Sequence, residues 1–171
     1  MAAPSLKAAR LRGLPPVIAA DARVLILGSF PGEASLAARQ YYAHPRNHFW
    51  PLLEAVLEEP LSTLAYAARL ARIKARGIAV WDTIVACERE GSMDAAIRDA
   101  RRGDVTRIRR RAPDIRLVGF NGGTALRGQA AWKEAGYATL ALPSSSPAYA
   151  RPIAEKLAAW RAIAGYLNPT R

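Results

Sequence analysis

Apolar positions along this chain repeat in two ways, and the two ways alternate. Four short runs hold apolar residues almost continuously: "RVLILGS" at Arg23–Ser29, "GIAVWD" at Gly77–Asp82, "IRLVGF" at Ile115–Phe120 and "YATLAL" at Tyr137–Leu142. Runs of that length, rich in β-branched and aliphatic residues, predict strands buried on both faces. Between them the spacing turns helical. Phe49, Leu52, Leu53, Val56 and Leu57 form one stripe and predict a helix over Asn47–Glu59, with Asn47 placed to cap its first turn. Leu64, Ala68, Ala71 and Ala75 predict another over Leu61–Arg76. Ser92 opens a short helix in "GSMDAAIRDA", Pro113 ends one in "DVTRIRRRAP", and "NGGTALRGQAAWKEAG" reads as a turn into the next. In the last helix Pro152 takes the first turn, and Ile153, Leu157, Trp160, Ile163 and Leu167 mark the buried side.

Strands alternating with helices predict an α/β fold: three layers, α/β/α, around a central, mainly parallel four-stranded sheet, in a single domain over residues 1–171. Loops leaving the C-terminal strand ends of such a sheet gather at one edge, where ligands bind. Ser29–Asn47, Asp82–Ser92, Asn121–Thr124 and Pro143–Ala150 should therefore converge.

Length and an apolar fraction of 51% suit one domain with one core. The apolar runs are too short to span a bilayer, and "MAAPSLKAARLRG" lacks the apolar centre of a signal peptide, so a soluble, cytoplasmic and monomeric protein is expected. Cys87 is the sole cysteine, which excludes an internal disulfide and a four-cysteine metal site. His44 and His48 stand four apart, but Pro45 separates them and their loop holds no acid, so neither a metal nor any other cofactor is expected. Charge changes the picture more. Twenty-five basic residues face fourteen acidic ones, the net charge is +11, and only Lys7, Lys74, Lys133 and Lys156 are lysines. An arginine-rich excess fits a polyanion such as nucleic acid; a compositional taste for Arg and Ala explains it too.

The first convergent loop ends in "QYYAHPRNHFW", Gln40–Trp50, which crowds rings and hydrogen-bonding groups where a loop is usually small and polar. "GSFPGEASLAARQYYAHPRNHFW" together with "LPSSSPAY" resembles the two signature blocks of the uracil-DNA glycosylase superfamily, and the form of the first block is most similar to its hypoxanthine-DNA glycosylase branch. The resemblance covers nearly the whole chain. It implies a monofunctional enzyme of base excision that flips a deaminated base, hypoxanthine first, out of double- or single-stranded DNA. Hydrolysis of the N-glycosidic bond then leaves an abasic site.

The resemblance also distributes roles. Tyr42 would stack under the base, with Phe30, Asp82 and Asn121 around it; Asn47 would hold the attacking water, or simply cap its helix; Ser144 would act beside the sugar-phosphate. Gly28, Ser29, Ser145 and Ser146 would meet the DNA backbone, and Tyr149, or Pro147 with Ala148, would be the wedge. Three positions depart from the pattern. Asp82 stands where relatives read the base with asparagine; it either reads the base, best when protonated, or caps the amides of Thr83 and Ile84. Phe30 replaces a polar group that places water, and Leu142 replaces a histidine. No lysine lies in either block, so a Schiff-base lyase is not expected. Uracil as main substrate and a non-catalytic single-strand-binding domain remain open, whereas a nucleotide-binding protein lacks its glycine pattern after the first strand.

Overall fold

The computed structural model describes residues 9–169. Lys7 and most of the segment read as lacking a signal-peptide centre lie outside them. The central sheet is built from β2 (Val24–Gly28), β3 (Ile78–Asp82), β6 (Leu117–Asn121) and β7 (Ala138–Leu142), all parallel, in the order β3-β2-β6-β7. The first three are buried at every position, which is why their apolar runs show no alternation.

Two cores cover the sheet. On one face α2 (Phe49–Leu57), α3 (Tyr66–Ala75) and α7 (Ile153–Trp160) pack Phe49, Leu52, Leu53, Ile73 and Trp160 against Val24, Ile26, Ile78 and Val80. On the other, α4 (Val105–Arg111) and the two short helices α5 (Gly123–Leu126) and α6 (Gln129–Glu134) set Ile108, Ala125 and Trp132 on Leu25, Leu27, Val118 and Phe120. Burial of each such large apolar side chain contributes about 1.5–3 kcal/mol. This is the three-layer fold that the pattern predicts. No helix among the described residues is long and apolar enough to cross a membrane.

Several elements differ from expectation. Leu61–Ala65 forms turns, so α3 starts at Tyr66; its buried side is Tyr66, Leu70 and Ile73, while Ala68, Ala71 and Ala75 face outward. Alanine is helix-favouring but says little about which face is covered. The helix expected after Asn121 is broken at Gly128, and the last helix tightens into a 3-10 stretch over Arg161–Tyr166. In α7 the buried place expected for Ile153 is taken by Lys156. A short helix, α1 (Glu33–Ala38), lies inside the first loop.

The largest difference is a second sheet. β1 (Arg10–Arg12), β4 (Ile84–Glu88) and β5 (Arg98–Arg102) form an antiparallel trio in the order β1-β4-β5. The segment after Asp82 is thus a strand, and the helix expected from Ser92 is only a 3-10 turn at Asp94–Ala96 that runs on into β5. β5 is exposed at all its positions, so it has no apolar alternation to announce it.

Candidate active site

The C-terminal edge of the parallel sheet opens into a cavity of about 540 Å³, ordinary for a small-molecule site. All four loops expected to converge contribute to its lining. Among the site residues proposed from sequence, each one lines it. What their side chains do there differs from residue to residue.

Tyr42 takes a left-handed backbone (φ 54), which costs a non-glycine residue about 1–2 kcal/mol. The conformation turns its ring onto Phe49 of α2, nearly parallel at 3.8 Å between centroids. One face is therefore covered by protein while the residue still lines the cavity. Its hydroxyl accepts from Asn121 Nδ2 at 3.2 Å, and burial raises its pKa. Tyr41, next to it, is structural: its hydroxyl donates to the carbonyls of Leu14 and Pro15, and its own carbonyl takes Trp50 Nε1.

Gly28 is buried and does not face the solvent where DNA would lie. A Cβ at this glycine would come within 2.5 Å of Asp82 Oδ1 and 2.9 Å of the Tyr42 hydroxyl, so the missing side chain lets the two groups approach. Asp82 ends β3, 5% exposed. It does not cap the next segment, because the amides of Thr83 and Ile84 donate to the carbonyls of Gly28 and Ser29. Its Oδ2 is buried with no partner. Burial pushes the carboxyl up to about 7, and the nearby Asp94 carboxylate adds to the shift. Near neutrality this group can offer both a donor and an acceptor.

The opposite wall is a closed network. Asn121, at the end of β6, donates from Nδ2 to Ser145 Oγ at 2.8 Å and accepts from Ser145 N at 2.9 Å. Ser145 is 1% exposed, and its carbonyl takes the amide of His48 at the start of α2. Its hydroxyl is enclosed and ties the serine loop to the sheet. Ser144 and Ser146 hold turns, their hydroxyls accepting from the amides of Ser146 and Ala148. Tyr149, 43% exposed, projects from the same loop, with Lys156 Nζ 5.4 Å from its ring.

Asn47 was weighed as a helix cap and as a holder of water, and its contacts bear on the first. Its Oδ1 accepts from Phe49 N at 2.9 Å, which serves the first turn of α2, while His48 occupies the cap position itself. Its amide nitrogen has no protein partner among the described residues and remains available to the cavity. Phe30 is 6% exposed and packs with Ile84 and Cys87 beneath the turn; Arg89 lies 5.1 Å over its ring and donates to the Pro31 carbonyl. Ser29 donates to Asp94 Oδ1 at 2.9 Å. Ser92 caps across the gap, accepting from Glu33 N at the start of α1.

Asp94 and Lys156 were not picked out from the sequence. Asp94 sits in a turn with no motif around it. Lys156 did leave a sign, a charge at helical spacing inside an apolar stripe; it is 1% exposed, reaches the Ser146 carbonyl at 3.4 Å, and burial lowers its pKa. His44 and His48 diverge: His44 Nδ1 accepts from Arg46 N, while the buried Nδ1 of His48 has no partner. No cluster of three or more metal-ligating side chains occurs among the described residues.

Comparison with known proteins places this geometry. The sequence profile of the Uracil DNA glycosylase superfamily matches residues 15–164. A hypoxanthine DNA glycosylase of Methanosarcina barkeri is 38% identical over 149 residues, spanning 87% of this chain and 94% of its own. Another hypoxanthine DNA glycosylase, from Methanosarcina acetivorans, is 37% identical over 152 residues, spanning 89% and 96%. The solution NMR structure of a candidate uracil DNA glycosylase from Methanosarcina acetivorans superposes with a TM-score of 0.80 at 36% identity, covering 91% of this chain and 99% of that one.

Proposed function

The chain belongs to the uracil DNA glycosylase superfamily and is a DNA N-glycosylase, and on that premise we propose that it removes hypoxanthine, acting as a monomeric, monofunctional hydrolase. Membership sets aside the non-catalytic binding domain. The observation that carries the reading of the base edge is Asp82, a buried carboxyl that makes no side-chain hydrogen bond among the described residues, with a pKa near 7 beside the Tyr42 ring; the relatives named hypoxanthine DNA glycosylase support hypoxanthine as that base. Hypoxanthine presents N1–H and O6 side by side. A protonated carboxyl accepts the first and donates to the second, as an amide would.

The steps follow from these placements. The extruded base lies on the open face of Tyr42, which replaces lost stacking. The C1′–N9 bond breaks, its electrons leave with the base, and the charge gathering on O6 is met by the Asp82 proton. The sugar is left as an oxocarbenium ion. A water held by the Asn47 amide nitrogen adds to C1′ and releases its proton to the departing base. No lysine among the described residues lines the cavity, which supports hydrolysis over lyase chemistry.

Uracil, with N3–H beside O4, offers the same pair and is the second reading. Single-turnover cleavage of duplexes carrying one deoxyinosine, deoxyuridine or xanthine tests both. Deoxyinosine is expected to react fastest; uracil ahead of it would move the assignment to the second reading. Asn47→Ala should slow release by roughly 10²-fold while changing DNA affinity only a few-fold, within the range for a positioned polar group. Equal losses in rate and affinity would make Asn47 a helix cap alone, and no release of any base by folded protein would overturn the proposal.

A further inference from the structure

The cavity is poorly suited to drawing in a polyanion by itself. Its charged lining residues are Glu33, Asp82 and Asp94 against Arg127. The positive surface lies beside it, on the second sheet. Arg10 and Arg12 of β1 and Arg98, Arg101 and Arg102 of β5 are all exposed. In register, Arg10, Glu88 and Arg98 form one row across the sheet, and Arg12, Ala86 and Arg101 another. The β4–β5 ladder shifts register between Ile84 and Ala86 and again between Ala86 and Glu88, so strict alternation of faces is broken: Leu11, Ile84 and Cys87 all pack on Phe30. The five arginines nonetheless stay exposed, and this exposed set is the arginine face; only Glu88 and Asp99 oppose its charge within the three strands, Asp99 by pairing with Arg10.

The segment joining β4 to β5 returns to the cavity mouth and is pinned there twice. Ser92 Oγ accepts from Glu33 N, and Asp94 Oδ1 accepts from Ser29 Oγ, both at 2.9 Å. Between these anchors stands Met93, 60% exposed and lining the cavity. It is the most exposed of the large apolar side chains named in the structure, and Tyr149 of the serine loop is the other one lining the cavity. Met93 and Tyr149 thus set two exposed apolar side chains, from different loops, at the mouth of one cavity. Methionine is also among the side chains that enter opened base steps.

We propose that β4, β5 and their connection form a DNA-gripping arm. Its arginine face takes the phosphates of duplex DNA flanking the extruded nucleotide, and Met93 enters the opened stack from a different loop than Tyr149. This rests on the glycosylase reading for its substrate. It adds a contact surface outside both signature blocks, with charge complementarity naming the occupant. It also explains why the net charge of +11 does not appear in the cavity lining.

Binding of undamaged duplex as a function of salt tests the arginine face. Arg101 and Arg102 make no side-chain hydrogen bond among the described residues, so R101A/R102A should fold normally. The control is R110A/R111A, two exposed arginines at the end of α4, on the side where β6 begins and away from the cavity. The slope of log affinity against log salt should fall by about two for R101A/R102A and by less than about one for the control. Equal changes in the two would overturn the arginine face. Met93→Ala should slow cleavage of deoxyinosine about tenfold in duplex and no more than about twofold in single strands, where no stack has to be opened. Equal loss on both substrates, or none, would overturn the wedge. Wild-type protein that binds duplex yet releases no base would instead overturn the glycosylase reading, and the salt slopes would still decide the arginine face.

Discussion

On the side of β6 and β7, Asn121 commits its amide to Ser145 and Tyr42, whereas across the cavity Asp82 keeps one carboxyl oxygen without a partner. Both residues end parallel strands, both are under a tenth exposed, and both stand at the depth where a base would lie. A satisfied buried network rigidifies its surroundings. A buried polar atom left alone costs free energy, on the order of 1–3 kcal/mol, and is kept where a ligand completes it. On the proposed reading one wall positions and the other reacts: Asn121 holds Tyr42 and the serine loop in place, and Asp82 contacts the base.

Removing each group should separate the two walls. Asp82→Ala should give the largest effect, a loss of roughly 10²- to 10³-fold in single-turnover cleavage of deoxyinosine, as for loss of one charge-stabilising donor. Its melting temperature at pH 8 should be no lower than that of the wild type. Asn121→Ala should do the reverse. It strands the amide and hydroxyl of Ser145, so it should lower unfolding free energy by about 2 kcal/mol, with a smaller loss of rate that follows from the loosened floor. Denaturant titrations and rates on the same preparations measure both. If Asp82→Ala destabilises and Asn121→Ala does not, the roles of the two walls are exchanged.

The parallel sheet was legible because Val24–Gly28, Ile78–Asp82 and Leu117–Asn121 are covered on both faces, and such burial writes itself as continuous apolar text. The loop Gln40–Trp50 was legible as a site for a different reason: rings and amides sit there without a helical or strand period to account for them. β5 was invisible because a strand with every residue exposed has no pattern, and its arginines read equally well as a solvated helix. The enclosure of Ser145 was illegible for another reason. A serine in a Pro-Ser loop looks open to solvent, and only the placement of Asn121 shows that its hydroxyl is enclosed. Whether a polar group is partnered is a property of tertiary contacts between residues far apart in sequence, here twenty-four positions, so local sequence carries no trace of it.

The smallest effect is the most specific to Asp82. Its folded pKa, about 7, lies above the ordinary carboxyl value of 3.8, so the folded state holds a proton that the unfolded chain gives up. The stabilisation from that proton is complete below pH 3.8 and is lost as pH rises towards 7, after which it changes no further. Asp82→Asn keeps the donor and acceptor but cannot ionise. Its stability advantage over the wild type should therefore widen by about 1 kcal/mol between pH 6 and pH 8, from the linkage relation applied to this one group. Chemical denaturation at the two pH values measures it. The wild-type second-order cleavage rate should fall above about pH 7, and the same substitution should flatten that fall. Asp94→Asn removes the second cause of the raised pKa, so it should move that fall to lower pH without abolishing it. A wild-type rate that stays level from pH 6 to pH 9 would mean the base is read by an ionised carboxylate, and the O6 donor would then have to come from another group in the cavity.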